Sequence, residues 1–304
     1  MSRRLPDLAS LELLVAVADE GGIGAAARAV GISQPSATER LRTLERRLGL
    51  LLIRRTPAGS TLTGEGTAVV GWARGVLQAA QELVDGAAVL SGQRRRHLDV
   101  GASLTVAEHL VPGWLVALAE SAPDISVTLQ MGNSTVVADQ VRTGKVQLGF
   151  VEGPAAPAGV RSRTVGVDEL VLVVAPGHDW TDGRAVGAPQ VAATPLVMRE
   201  AGSGTRDVLE EWLATIGLRA VPAVELASTT ALVQAVMAGV GPGVVSRLAV
   251  AAELAEGRLV GVPLEVLEGG AARPVRLTRK IRAIWRGNAP TAAAAALVAV
   301  ALTP

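Results

Sequence analysis

The sequence predicts a helical N-terminal module, a long connecting helix and a large α/β region, and three observations carry that reading. Residues 25–49, AAARAVGISQPSATERLRTLERRLG, combine small side chains, a Gly-Ile-Ser corner and arginines spaced among leucines. Between residues 69 and 83, apolar side chains recur at spacings of three and four. After residue 97 short apolar runs alternate with helical stretches. With 304 residues and 49% apolar composition, the chain can bury two or three separate cores.

Leu8, Leu11, Leu14 and Ala18 recur at helical spacing, so a first amphipathic helix runs to the glycines at 21 and 22. A short second helix spans Ala25 to Val30, where alanines let a neighbouring helix approach closely. Gly31 suits a left-handed stop, Ser33 an N-cap, and Pro35 a first turn where a missing N–H costs nothing. In the third helix Ala37, Leu41, Leu44 and Leu48 share one face, while Ser36, Glu39, Arg42, Thr43 and Arg46 share the other.

Charge is uneven along the chain. The whole sequence balances 29 Lys+Arg against 28 Asp+Glu, but residues 1–63 hold nine arginines against six acids. Residues 33–55 alone hold six arginines and two glutamates, an excess suited to phosphate contacts. Gln34, Ser36 and Thr38 at the helix start are neutral hydrogen-bonding groups able to read base edges in a major groove. The bland alternative is a solvated basic face. A close-packing helix, a tight turn, a capped second helix and local positive charge coincide here, and together they point to double-stranded DNA as a partner.

Between Gly66 and Gly92, Val69, Trp72, Val76, Ala79 and Leu83, extended by Ala87 and Leu90, form the seam of a long helix that pairs with another helix. Homodimerisation follows, since two copies would read two half-sites. RRRH at 94–97 reads as a solvated hinge.

Beyond it LDVGAS, SVTLQMG, VQLGFVEG and ELVLVVAPG are strand-like, and VAEHLVPGWLVALAES and STVVADQVRTG helix-like. Their alternation argues for an α/β sheet that binds ligands beyond the carboxyl ends of its strands. Three segments fall there: Ser103 and Thr105; Asn133, Ser134 and Thr135; and REAGSGTR at 199–206, with Arg199, Ser203 and Thr205. Each sets small hydroxyls at a helix start, an arrangement that holds a small anion such as a carboxylate without a metal. Capping alone is the competing explanation for any one of them. TAAAAALVAVAL at 291–302 reads as a final helix.

Some chemistry is not expected. There are no cysteines, and the three histidines lack metal-ligand spacing. AGSGT is not a nucleophile elbow, and GVGPG at 239–243 lacks a dinucleotide fingerprint. No metal, cofactor or catalytic residue is expected. Glu12 interrupts the one apolar run near the N-terminus, which reads against a signal peptide. The longest apolar stretch, Ala292 to Leu302, is too short to span a bilayer. A cytoplasmic location and no membrane partner are the expectation.

AAARAVGISQPSATERLRTLERRLGLLLIRR, with LTGEG at 62–66, resembles the N-terminal pattern of the LysR-type transcriptional regulators. That resemblance implies an α-helical winged helix-turn-helix N-terminal domain at 1–65, a long linker helix at 66–93, and an α/β two-lobed periplasmic-binding-protein-like effector domain at 94–304. One lobe would take about 95–165 plus 268–304, and the other about 166–267. Gln34, Pro35, Thr38 and Glu39 then fall where family members approach bases or phosphates, and a wing runs from Arg55 to Leu62. With Ser33, Ser36, Arg40 and Arg42 these residues form the candidate DNA-binding set.

Three positions depart from the pattern: Ile53 stands where phenylalanine is common, Thr38 where serine is usual, and Glu39 where arginine is frequent. A carboxylate at 39 must face a cytosine amine or pair with Arg42. The expected protein is a ligand-responsive regulator, a homodimer or tetramer, with a small anionic effector. A cytoplasmic solute-binding protein of the same fold without a DNA role is the competing reading.

Overall fold

The computed structural model describes residues 5–56, 59–90, 96–268 and 271–303. It divides into two compact units, residues 1–96 with 142–145, and residues 97–141 with 146–304.

The first unit opens with α1 (Leu8–Glu20), α2 (Ile23–Ala29) and α3 (Gln34–Leu48). Gly21, Gly31 and Gly49 take positive φ at their C-terminal ends, the conformation in which glycine stops a helix at little cost. Ala26, Ala27, Ala37, Leu41 and Leu44 are buried with Leu11, Leu13 and Leu14, so the predicted faces are the packed ones. Ile53 is buried in the same core. Strands β1 (Ile53–Thr56) and β2 (Gly59–Leu62) pair antiparallel as a hairpin, and α4 (Gly64–Leu90) follows.

Helix α4 splits the expected apolar seam. Val69, Val70 and Ala73 are buried against the unit's own core, whereas Trp72 and Leu83 are 69% and 75% exposed and Val76 is also exposed. Two angular sectors of one helix are apolar, and among the described residues of this unit only one is covered. The side chain of Leu90 lies outside the described residues.

The second unit runs β3 (Arg96–Ser103), α5 (Leu104–His109), α6 (Val111–Ser121), β4 (Ile125–Gly132), α7 (Ser134–Thr143), β5 (Leu148–Gly153) and β6 (Arg161–Val174). It continues with β7 (Val186–Gly187), α8 (Ala188–Ala193), β8 (Pro195–Arg199), α9 (Gly204–Ala214), β9 (Val221–Leu226), α10 (Thr229–Met237), β10 (Gly243–Ser246), α11 (Ala251–Ala255) and β11 (Val260–Val262). A hairpin of β12 (Leu264–Glu268) and β13 (Ala271–Val275), the strand β14 (Leu277–Trp285) and α12 (Ala292–Ala301) complete it.

One sheet runs β4-β3-β5-β14-β6-β10-β8-β9, with β11 also on β6. Strands β6 and β14 pair antiparallel from Leu277↔Leu170 to Trp285↔Arg161 and join two lobes. At one end Ile281 and Ala283 enter a core with Leu98, Phe150 and Leu297; at the other Leu277 and Leu170 enter a core with Leu196, Leu209 and Val262.

Three expectations need correction. The segment 106–121 is two helices rather than one: Leu110, at φ −117°, separates α5 from α6, and Pro112 lies in the first turn of α6. The strand expected at 169–177 begins eight residues earlier, because its opening residues Arg161 to Thr164 are polar and exposed and carry no apolar pattern. Of the hinge expected at 94–97, Arg94 and Arg95 lie outside the described residues, while Arg96 and His97 already belong to β3.

Candidate nucleic-acid interface and anion site

Ser33 caps α3, its hydroxyl accepting from the Ser36 N–H at 3.3 Å and lying 2.8 Å from the Ser36 hydroxyl. Gln34, Pro35, Ser36, Glu39, Arg40 and Arg42 are exposed and Thr38 half-buried; Glu39 and Arg42 lie opposite Ala37, Leu41 and Leu44, whereas Gln34 and Arg40, three residues before and after Ala37, flank the packed face. Glu39 does not pair with Arg42. It accepts from Arg46 at 3.0 Å, and the same guanidinium nitrogen donates to Thr43 at 2.9 Å. Two helical turns separate residues 39 and 46 on one face, and the long arginine stem spans them. The pairing neutralises the carboxylate that departs from the resemblance and leaves Arg40 and Arg42 without an ion pair among the described residues. Arg55 lies in β1, its side chain outside the described residues.

Behind α3, the Glu45 carboxylate accepts from the backbone N–H groups of Leu52 and Ile53 at 2.9 and 3.1 Å, tying the helix to the hairpin. Thr63 donates to the Leu51 carbonyl at 2.7 Å and accepts from the Gly66 N–H at 2.9 Å, which caps α4. Sequence reading gave Glu45 no part, since a charge on a charged helix carries no mark of a backbone partner.

The three hydroxyl-bearing loops of the second unit do converge, and most of their polar groups satisfy one another. Ser103 donates to Glu152. The Ser134 hydroxyl donates to the Glu152 carbonyl at 2.7 Å and accepts from its N–H at 3.2 Å. Asn133 accepts from the Val136 N–H at 3.0 Å, as a cap, and donates to the Ala201 carbonyl at 3.3 Å. The Thr135 N–H donates to the Gly202 carbonyl at 3.2 Å. Arg199 is buried and occupied: it donates to Glu200 at 2.8 and 3.0 Å, to Thr229 at 2.9 Å and to the Ala227 carbonyl at 3.3 Å.

Beneath these loops lies a buried charged group that the sequence reading missed. Arg279, fully buried, pairs with Asp168 at 2.7–2.8 Å and with Glu152 at 3.2 Å, and donates to Thr205 at 2.9 Å and Thr105 at 3.1 Å. Ser246 donates to the other Asp168 oxygen at 2.8 Å. Burial pushes the Glu152 carboxyl above the usual carboxylate range, and the nearby Arg279 only partly offsets this. A signal was available: Leu277, Arg279 and Ile281 share strand parity, so the arginine had to point where the two leucine-class neighbours point.

What remains open is the start of α9. Ser203, 3% exposed, occupies the N-cap without a side-chain cap bond, and Thr205 accepts from Arg279 while its own proton has no assigned acceptor. An open groove of about 660 Å³ alongside α9, lined by Arg206, Glu210, Leu218 and Arg219, lies apart from these hydroxyls. Its Arg206 is already held by Glu210 and Glu225.

His97 lies 3.2 Å from the Ser126 hydroxyl and 3.3 Å from Asp99, on exposed positions of adjacent strands rather than in a cleft. Among the described residues no group of three metal-ligating side chains gathers. Among the described residues no helix is long and apolar enough to cross a membrane.

Residues 8–67 match the bacterial regulatory helix-turn-helix protein family, lysR, and residues 91–303 match the LysR substrate binding domain. An uncharacterised HTH-type transcriptional regulator of Mycobacterium tuberculosis is 40% identical over 300 residues, covering 95% of this chain and 93% of that protein. Among solved structures, full-length OxyR from Pseudomonas aeruginosa superposes with a TM-score of 0.71 at 22% identity, over 98% of this chain and 95% of that one. Full-length CbnR complexed with its target DNA superposes with a TM-score of 0.63 at 21% identity, over 97% and 98%.

Proposed function

Because the chain belongs to the LysR family of ligand-responsive, DNA-binding transcriptional regulators, we propose that α3 is its reading helix and that the start of α9 receives a small anion. One observation carries the DNA half: a capped helix packs through Ala37, Leu41, Leu44 and the partly buried Leu48, and leaves Arg40 and Arg42 exposed. Gln34, Ser36 and Thr38 address base edges, with Ser33 and Pro35 fixing the helix start beside them. Glu39, held by Arg46, is a positioning group. Arg55 on the hairpin approaches the phosphates. The structure of CbnR with its target DNA supports this arrangement by likeness of fold.

The anion reading rests on the Ser203 hydroxyl, which makes no cap bond at the N-terminus of an eleven-residue helix, with Thr205 two residues further on. Ser103, Thr105, Asn133, Ser134 and Thr135 shape the opposite wall, and Arg199 supports α9's approach without facing the ligand. Exposed Trp72, Val76 and Leu83 on α4 suit pairing of two chains, giving a homodimer or a dimer of dimers in the cytoplasm.

Fluorescence anisotropy against duplex DNA from the region beside its own gene, with a scrambled duplex and a salt series, tests the first half. Arg42→Ala should weaken binding to both duplexes and reduce the salt slope by about 1, whereas Gln34→Ala should narrow the preference for the specific duplex. Equal losses on both duplexes for both variants would remove the assigned roles. For the anion half, titration calorimetry with sulfate, phosphate and malonate is expected to find one that binds, with affinity about tenfold weaker in Ser203→Ala. Unchanged affinity in that variant would move the site elsewhere.

A further inference from the structure

We infer that Arg279 is the positioning residue that sets how the two lobes of the ligand-binding region stand against each other. Its guanidinium is the point at which both lobes and the strands between them meet. One terminal nitrogen donates to Thr205 at the start of α9 in one lobe, and the other donates to Thr105 in α5 of the other lobe. Glu152, at the end of β5 in the lobe that holds α5, lies 3.2 Å from the same terminal nitrogen that donates to Thr205. Arg279 sits on β14 directly opposite Asp168 on β6, so the two joining strands supply both members of the anchoring pair. Ser246 of β10 fixes the remaining Asp168 oxygen. A planar fork with donors at fixed angles holds these acceptors in one arrangement, which a lysine ammonium would not do.

The consequence appears at the mouth of the cleft. There the Thr135 N–H of one lobe donates to the Gly202 carbonyl of the other, and Asn133 donates to the Ala201 carbonyl. Gly202, at φ +86°, lies so close that a Cβ would come 2.9 Å from the Thr135 hydroxyl. Gly204 at the start of α9 is likewise pressed against the Glu152 carbonyl. These contacts need the lobe spacing that Arg279 defines. An anion at Ser203 and Thr205 would share the Thr205 hydroxyl with Arg279, so occupancy and lobe placement are coupled through one side chain. That last step rests on the anion reading above; the bridging role does not.

The test is amide hydrogen exchange on the full chain without ligand, so that it stands or falls separately from the anion site. In Arg279→Met, exchange at Thr135 and across 202–206 should rise about tenfold, while the strand amides of Val100 to Ala102 and Val244 to Val245 keep their protection. Arg279→Lys should loosen the same two segments, since it retains the charge beside Asp168 but cannot span two hydroxyls. Wild-type exchange at Thr135 in a folded Arg279→Met, or full restoration by lysine, would overturn the bridging role. Should Arg279→Met lose protection in the strands as well, Thr205→Val decides, because it leaves the Arg279–Asp168 pair intact and removes only one lobe's contact. Faster exchange at Thr135 in that variant supports the inference, and unchanged exchange overturns it.

Discussion

Asp168→Asn is expected to destabilise the ligand-binding region by about 3–5 kcal/mol, the cost of leaving a buried guanidinium without its main counter-charge. Asp168 makes the shorter contacts with Arg279, at 2.7 and 2.8 Å, and Ser246 orients it. Glu152→Gln is expected to behave oppositely, changing stability at neutral pH by less than about 1 kcal/mol. The amide carbonyl can still face Arg279, its NH2 can donate to the Ser103 hydroxyl instead of accepting from it, and the change removes a carboxyl whose ionised form burial disfavours.

The pH dependence separates the two acids further. Glu152 holds its proton more tightly in the folded protein than in the unfolded chain, so its contribution to stability is complete below the ordinary glutamate range. That contribution is lost as pH rises through the raised folded value, and Glu152→Gln should flatten stability across this window. Urea unfolding followed by tryptophan fluorescence is a suitable readout, since Trp114, Trp180, Trp212 and Trp285 all lie in this unit. If Asp168→Asn and Glu152→Gln lost equal stability, the guanidinium would be shared evenly and the assignment of Asp168 as its anchor would fail.

This charged group also marks where sequence reading stopped. Local features were legible: leucine spacing set α1 and α3, Ser33 and Pro35 set the start of α3, and the glycines at 21 and 31 set the ends of α1 and α2. So was the resemblance to LysR regulators, because a helix-turn-helix is compact in sequence, and the family match at 8–67 bears it out. Arg279 and Asp168 are 111 residues apart, so although strand parity with Leu277 and Ile281 marks the arginine as inward-facing, nothing local names its partner. The first half of β6 was missed for a related reason: Arg161 to Thr164 are exposed, and their strand conformation is imposed by pairing with β14 rather than by their own pattern. The pairing of Glu39 with Arg46 in place of Arg42 shows the same limit at short range, where helical geometry allows several partners and side-chain reach selects one. The loops at 103–105, 133–135 and 199–205 were found by their hydroxyls, yet most of those hydroxyls turn out to hold the protein to itself.

Gly66→Ala is expected to cost about 3 kcal/mol or more in the DNA-binding unit and to abolish DNA binding near physiological temperature. An alanine Cβ there would come 2.1 Å from the Leu52 carbonyl oxygen, and neither partner has room to withdraw. Leu52 is fully buried, its N–H donates to Glu45 at 2.9 Å, and its carbonyl accepts from the Thr63 N–H at 2.9 Å. On the other side, the Gly66 N–H is fixed to the Thr63 hydroxyl that caps α4. The close approach therefore joins the end of α3, the hairpin and the start of α4 at one point. Gly64→Ala and Gly71→Ala provide the contrast, since nothing lies within 4 Å of either added methyl and alanine favours the helix by about 1 kcal/mol at an interior position. Thermal unfolding of the three variants, together with anisotropy on the specific duplex, would show whether the glycine at 66 is there for space. If Gly66→Ala retained the wild-type Tm and affinity, the junction would be able to open without loss, and the rigid placement of α3 against α4 would have to come from the Val69, Val70 and Ala73 contacts alone.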